Sequence, residues 1–173
     1  MKRLNDYRMR LMLVGFVAVI VLGGGSAKAD FTFGEPTNLG PTVNTSFSEG
    51  QSSISADGLE LYFQSGQSGQ PGGYGDADLW VTKRLSREDS WGEPFNLGPL
   101  VNSAVKEGTP SISTDGLSLF FWSFLRPGGI GMSDLWVTTR TNRDSPWNSP
   151  VNLGPTINTS SNENAPDISA DGL

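Results

Sequence analysis

The chain has 173 residues, with 12 Lys+Arg against 18 Asp+Glu, and contains neither cysteine nor histidine. Without histidine there is no Ser-His-Asp or Cys-His catalysis and no imidazole proton shuttle. Without cysteine there is no disulfide, and the usual thiolate or imidazole zinc site is excluded, so a metal would need carboxylates and carbonyls. Gly 22 and Pro 11, with ample aromatic residues, point to turn-rich β structure and away from disorder.

Lys2, Arg3, Arg8 and Arg10 precede an apolar run from Leu11 to Leu22, then Gly23 to Gly25 and Ala27-Lys28-Ala29. That order is a basic n-region, an h-region and a small-residue cleavage site, so a secretory signal peptide is expected over 1–29 and an exported chain over 30–173. An uncleaved anchor is the competing reading, but the apolar run is shorter than the roughly 20 residues a spanning helix needs. No membrane span is expected after cleavage. Cleavage leaves seven Lys+Arg against seventeen Asp+Glu, which makes nucleic acid and anionic lipid poor partners.

After the leader the chain repeats itself. Asn38-Leu39-Gly40-Pro41 returns as Asn96-Leu97-Gly98-Pro99 and as Asn152-Leu153-Gly154-Pro155. Glu49, Glu107 and Glu163 keep the same steps, as do Asp57-Gly58, Asp115-Gly116 and Asp171-Gly172. Each unit reads as four strands. The first is a short run, 52–55, closed by Asp57-Gly58, a pair that accepts the positive φ of tight hairpins. The second takes the alternating stretch 59–64, matched by 117–122 with apolar residues on both faces, which suits a sheet covered on both sides. A Pro-Gly-Gly loop, 71–73 or 127–129, leads to a third strand, 78–83 or 134–139. The fourth, 95–97 or 151–153, follows Pro94 or Pro150, and proline fits best at the start of a strand or on an edge. The length difference between units falls between Ser65 and Pro71, in a polar loop where insertions are tolerated.

Four short antiparallel strands in a unit of this length describe a β-propeller blade. The run Glu107-Gly108-Thr109-Pro110-Ser111-Ile112-Ser113-Thr114-Asp115-Gly116, followed by Leu117-Ser118-Leu119-Phe120-Phe121, resembles the Pro-Asp type of WD40-like β-propeller repeat, found in the periplasmic propeller of the Tol system and in many exported bacterial proteins. The resemblance covers nearly all of 31–173, with Ser52 standing where the other units carry Pro110 and Pro166. The expected fold is therefore all-β, with one blade over about 50–99, a second over about 108–155 and the start of a third over 163–173. Since two blades and a strand cannot close a ring, the expectation is a piece of a larger propeller. Self-assembly is the alternative, open only if the chain truly ends at Leu173.

Candidate ligand contacts fall into two groups. Glu49, Glu107 and Glu163 precede the innermost strand and could gather carboxylates at one mouth, for Ca²⁺ or a cationic group; turn capping and contacts between blades explain the same recurrence. Asp57, Asp115 and Asp171 are explained as hairpin residues. Trp80, Trp91, Trp136 and Trp147 recur in register and read as packing between blades. Trp122, Phe124, Arg126 and Tyr74 belong to one unit only, which favours them as specific contacts. Gly72 to Asp78 and Gly128 to Asp134 approach the calcium nonapeptide, but the aspartate falls one position late, so Asp78 and Asp134 are expected to bond nearby backbone.

Neither a phosphate loop nor a nucleophile elbow is present, and no cofactor or metal is expected. These features favour a non-enzymatic binding or scaffold module, periplasmic or extracellular, for a protein or cell-envelope partner. Two alternatives compete: the propeller part of an exported glycan- or peptide-processing enzyme with catalytic residues elsewhere, and a purely structural ring-forming unit.

Overall fold

A computed structural model describes residues 35–66 and 70–172. The expected leader, and residues up to 34, lie outside that range. The described residues are all-β, without a helix, and none forms a helix long and apolar enough to cross a membrane. Eight strands follow in chain order: β1 (Glu49–Ile54), β2 (Glu60–Ser65), β3 (Asp78–Lys83), β4 (Phe95–Asn96), β5 (Glu107–Ile112), β6 (Ser118–Phe124), β7 (Ser133–Thr139) and β8 (Val151–Asn152). They form two antiparallel four-stranded sheets of the same simple order, β1-β2-β3-β4 and β5-β6-β7-β8.

The expected strands recur with shifted ends. The first strand of the unit begins at the glutamate, earlier than its β-type run suggests, because Glu49 and Gly50 pair with Ser65 and Gln64. Beyond them the register slips by one residue before Ser53 meets Tyr62, and the second sheet repeats this between Gly108 and Ser111. The extra residue makes a β-bulge. At the bulge Gln51 has φ 49° and Thr109 has φ 44°, and the matching position of the third unit, Ala165, has φ 53°. That third unit carries no assigned strand over 163–172; it is tied to the second unit by the bridge from Ser133 to Asn162 and by hydrogen bonds from the Ile168 amide to Ser111 Oγ (3.1 Å) and from Thr114 Oγ1 to the Ala170 carbonyl (2.9 Å).

Strand alternation then decides which side chains meet. Tyr62, Leu79 and Val81 leave one face of the first sheet and join Ile112, Leu119, Phe121 and Trp136 of the second, with Val101 of the connecting segment between them. Tyr62, Leu79, Val101, Leu119 and Phe121 are buried, so this packing is the main hydrophobic core of the described residues. Leu61 and Phe63 take the other face of the first sheet, under Val43 and beside Trp80 and Trp91. The four recurrent tryptophans thus line the same face of their respective sheets. The forward face of the second sheet carries Phe120, Leu135 and Val137, partly buried where the matching Tyr62, Leu79 and Val81 are sealed.

Candidate functional site

The repeated glutamates serve the turns just before them. Glu49 accepts hydrogen bonds from the Thr45 amide (3.0 Å), Thr45 Oγ1 (2.5 Å) and Ser65 Oγ (3.0 Å). Glu107 repeats the pattern with the Ser103 amide (3.1 Å), Ser103 Oγ (2.5 Å) and Ser123 Oγ (2.9 Å). Glu163 does so with the Thr159 amide (3.0 Å) and Thr159 Oγ1 (2.6 Å). A short polar side chain four residues upstream is the common requirement, and it is visible in all three units as Thr45, Ser103 and Thr159. Among the described residues no group of three or more Asp and Glu side chains is placed to hold a metal ion.

Arg126 and Glu107 are brought together. Arg126 donates to the carbonyls of Val101 (2.7 Å) and Leu100 (3.3 Å) and lies 3.4 Å from Glu107, with its guanidinium 5.3 Å from the Trp136 ring centre. Glu107 is wholly buried, and burial raises its carboxyl above the usual value despite its hydrogen bonds and the nearby cation. Burial also lowers Arg126. Trp122 donates from Nε1 to Thr109 Oγ1 (3.0 Å), and Thr109 in turn donates to Gln51 Oε1 (2.9 Å), so a polar chain links the bulges of β1 and β5. Tyr74 is half exposed and Phe124 exposed. Asp78 and Asp134 bond nearby backbone: Asp78 accepts from the Tyr74 amide (2.6 Å) and the Gly75 amide (3.1 Å), and Asp134 from the Ile130 and Gly131 amides.

A groove that the motifs did not point to lies between the sheets, on the side of the β3–β4 and β7–β8 loops. It encloses about 680 Å³ and is walled by Tyr62, Val81, Phe95, Leu97, Leu100 and Trp147, a volume within the range of ligand pockets. Phe95 and Leu100 are each about half exposed at its rim (49% and 50%). Tyr62 meets the edge of Trp147 at 6.1 Å between ring centres, and the Arg140 guanidinium stacks 4.5 Å from the same indole.

The cations that line the groove are already matched. Glu60, 6% exposed in its side chain, receives Arg140 at 2.7 Å, Lys83 at 2.6 Å and the Tyr62 hydroxyl at 3.0 Å. Burial alone would raise the Glu60 carboxyl, but the hydrogen bonds from Arg140 and Lys83 prevail and hold it below its usual value. Burial and the Glu60 charge push the Tyr62 phenol strongly up. Arg143 pairs with Asp57, whose carboxyl falls to about 2, chiefly through the hydroxyl of Ser55. Glu60 and Lys83 are replaced together in the second unit, by Ser118 and Thr139, whereas Arg84 and Arg140 correspond. That paired change was the one sequence signal for this site.

Trp80 and Trp136 each bury an indole nitrogen that has no hydrogen-bond partner. Because the two positions correspond, and Trp136 lies inside the main core, the orphaned donor belongs to the repeat and does not mark a ligand. No protein-family model matches the chain, and neither does any curated protein or solved structure.

Proposed function

We propose that this is an exported, non-enzymatic binding or scaffold module of the WD40-like β-propeller type, in which each four-stranded sheet is one blade. The identical strand order, the shared bulge position and the packing of one face of the first sheet on the opposite face of the second support the blade reading. The partner is a protein or cell-envelope component outside the cytoplasm, and the groove between the sheets receives it. The observation that carries this reading is the groove itself. Its walls are apolar and aromatic, while Lys83, Arg140 and Arg143 are tied to Glu60 and Asp57. Such a surface binds by burying apolar area and has no uncommitted cation to offer a reacting group.

The test places a photoreactive side chain at Leu100 and irradiates intact cells. A discrete cross-link to an envelope or extracellular protein is expected, lost when Phe95 is changed to Ser with the melting temperature unchanged. A chain retained in the cytoplasm, or cross-links unaffected by Phe95→Ser, would contradict the proposal.

A further inference from the structure

Arg126 fills a pocket that its own unit builds. Its guanidinium donates to the carbonyls of Val101 (2.7 Å) and Leu100 (3.3 Å), lies 3.4 Å from Glu107, and sits 5.3 and 5.9 Å from the ring centres of Trp136 and Phe121. Each of these partners has a counterpart in the first unit, in the order Val43, Thr42, Glu49, Trp80 and Phe63. The arginine has none. Its position, just before the Pro-Gly-Gly loop, belongs in the first unit to Gln70, whose Nε2 donates to Ser65 Oγ (3.3 Å).

The walls themselves are kept. Glu49 is held as Glu107 is: the Thr45 amide donates to it at 3.0 Å where the Ser103 amide does so at 3.1 Å, and Ser65 Oγ at 3.0 Å where Ser123 Oγ does so at 2.9 Å. The loop glycine faces the indole in both units, since a Cβ on Gly72 would lie 3.5 Å from Trp80 and one on Gly128 3.8 Å from Trp136. Between these walls the first unit has a cleft of about 220 Å³, lined by Thr42, Val43, Glu49, Phe63, Gln70 and Trp80 among others. Neither lysine nor arginine lines it among the described residues. Two substitutions favour a cation further: Glu93 lines the cleft where the second unit carries Ser149, and Phe47 lines it where the second carries Val105. Among the described residues the Thr42 and Val43 carbonyls accept no hydrogen bond. All these walls come from 42–94, and the lost arginine is a change inside the unit, so the difference between the two pockets belongs to the first unit itself.

The geometry points to a guanidinium-binding site in this cleft, which takes an arginine side chain or a small guanidinium compound in the place that Arg126 holds in the second unit. A guanidinium is planar: its faces stack on the Phe63 and Trp80 rings while its edge donates to a carboxylate and to carbonyls at once. A compact ammonium cannot do both. Phe63 and Trp80 alternate with Tyr62 and Val81 along β2 and β3, so the cleft lies on the opposite face of the first sheet from the Leu100 groove. The site therefore goes beyond the proposed function and does not rest on it.

The ¹⁵N-labelled full chain is titrated with propylguanidinium and with the doubly blocked tripeptide Gly-Arg-Gly, and the Trp80 indole N–H, assigned with Trp80→Phe, is followed by NMR. Saturable binding is expected with a Kd on the order of 1 mM or tighter, and at least tenfold weaker binding for propylammonium and Gly-Lys-Gly. Equal affinity for the two guanidinium probes would assign a small compound as the ligand, and tighter binding of the tripeptide a protein side chain. Gln70→Arg should supply the cation from within the chain, raising the melting temperature and abolishing the titration. Glu93→Gln, at an exposed position, should weaken binding with the melting temperature unchanged. Equal binding by the ammonium probes, binding that survives Gln70→Arg, or no saturable binding would overturn the site. Cross-linking at Leu100 is independent of these outcomes, so either proposal can fail alone.

Discussion

Glu60 and Glu107 are both nearly sealed from solvent, yet one is held ionised by two cations at 2.6 and 2.7 Å while the other faces a single arginine at 3.4 Å. Their contributions to stability therefore run oppositely with pH. Glu60 has a lowered folded-state value, so its stabilisation is present above its ordinary 4.5 and is lost as pH falls through the folded value. Glu107 has a raised value, so its contribution is full below 4.5 and is lost as pH rises through the folded value. Urea denaturation across pH 3 to 8 checks both. Glu60→Gln should cost roughly 3 kcal/mol at neutral pH, the order expected for one member of a buried ion pair, and the deficit should shrink in acid. Glu107→Gln should gain on the parent chain as pH rises. Neither behaviour was legible beforehand: Glu60 sits at an alternating polar position of a strand, and alternation alone reads such a residue as solvent-facing.

At the scale of the strand and loop, much more could be read. Glycine, proline and Asp-Gly landmarks gave the order of the four strands in each of the first two units, though not the strand expected at the start of the third, and β3 was placed at its observed ends because its apolar run is bounded by Asp78 and Lys83. The bulge was not foreseen, since Gln51 and Thr109 adopt positive φ without being glycine. Their conformation is set by the bonds from Thr109 to Gln51 and from Ile112 to Ser53 of the neighbouring sheet (3.1 Å), which only folding brings together. Loops matter as spacers too. A Cβ on Gly75 would fall 1.9 Å from the Val105 carbonyl oxygen and 2.8 Å from that of Ser103, because the β2–β3 loop lies directly against the segment leading to β5. Gly75→Ala is accordingly expected to destabilise the chain by roughly 1–3 kcal/mol, as overpacking does. Gly50→Ala, with nothing within 4 Å of its Cβ, serves as the control in thermal melts.

At the scale of the molecule, a repeat in sequence becomes a repeat in packing: each tryptophan-bearing face lies under a valine, Val43 or Val101, from the segment before it. This also explains why identical periodicity gives different burial in the two units. Strand β2 is covered on both faces, whereas β6 alternates between buried and partly buried residues. The candidate groove follows from the same stacking. It requires two units side by side, so no single motif announces it, and Trp122, Arg126 and Tyr74, selected for being individual, are not among its lining residues. Glu60 and Arg140 are 80 residues apart in sequence and meet only if the second sheet stacks on the first.

A double-mutant cycle with Glu60→Gln and Arg140→Met, measured by urea denaturation at neutral pH, tests that stacking directly. A coupling energy of about 1–3 kcal/mol is expected, as for directly bonded buried partners. Additivity within about 0.5 kcal/mol, the behaviour of distant sites, would contradict it.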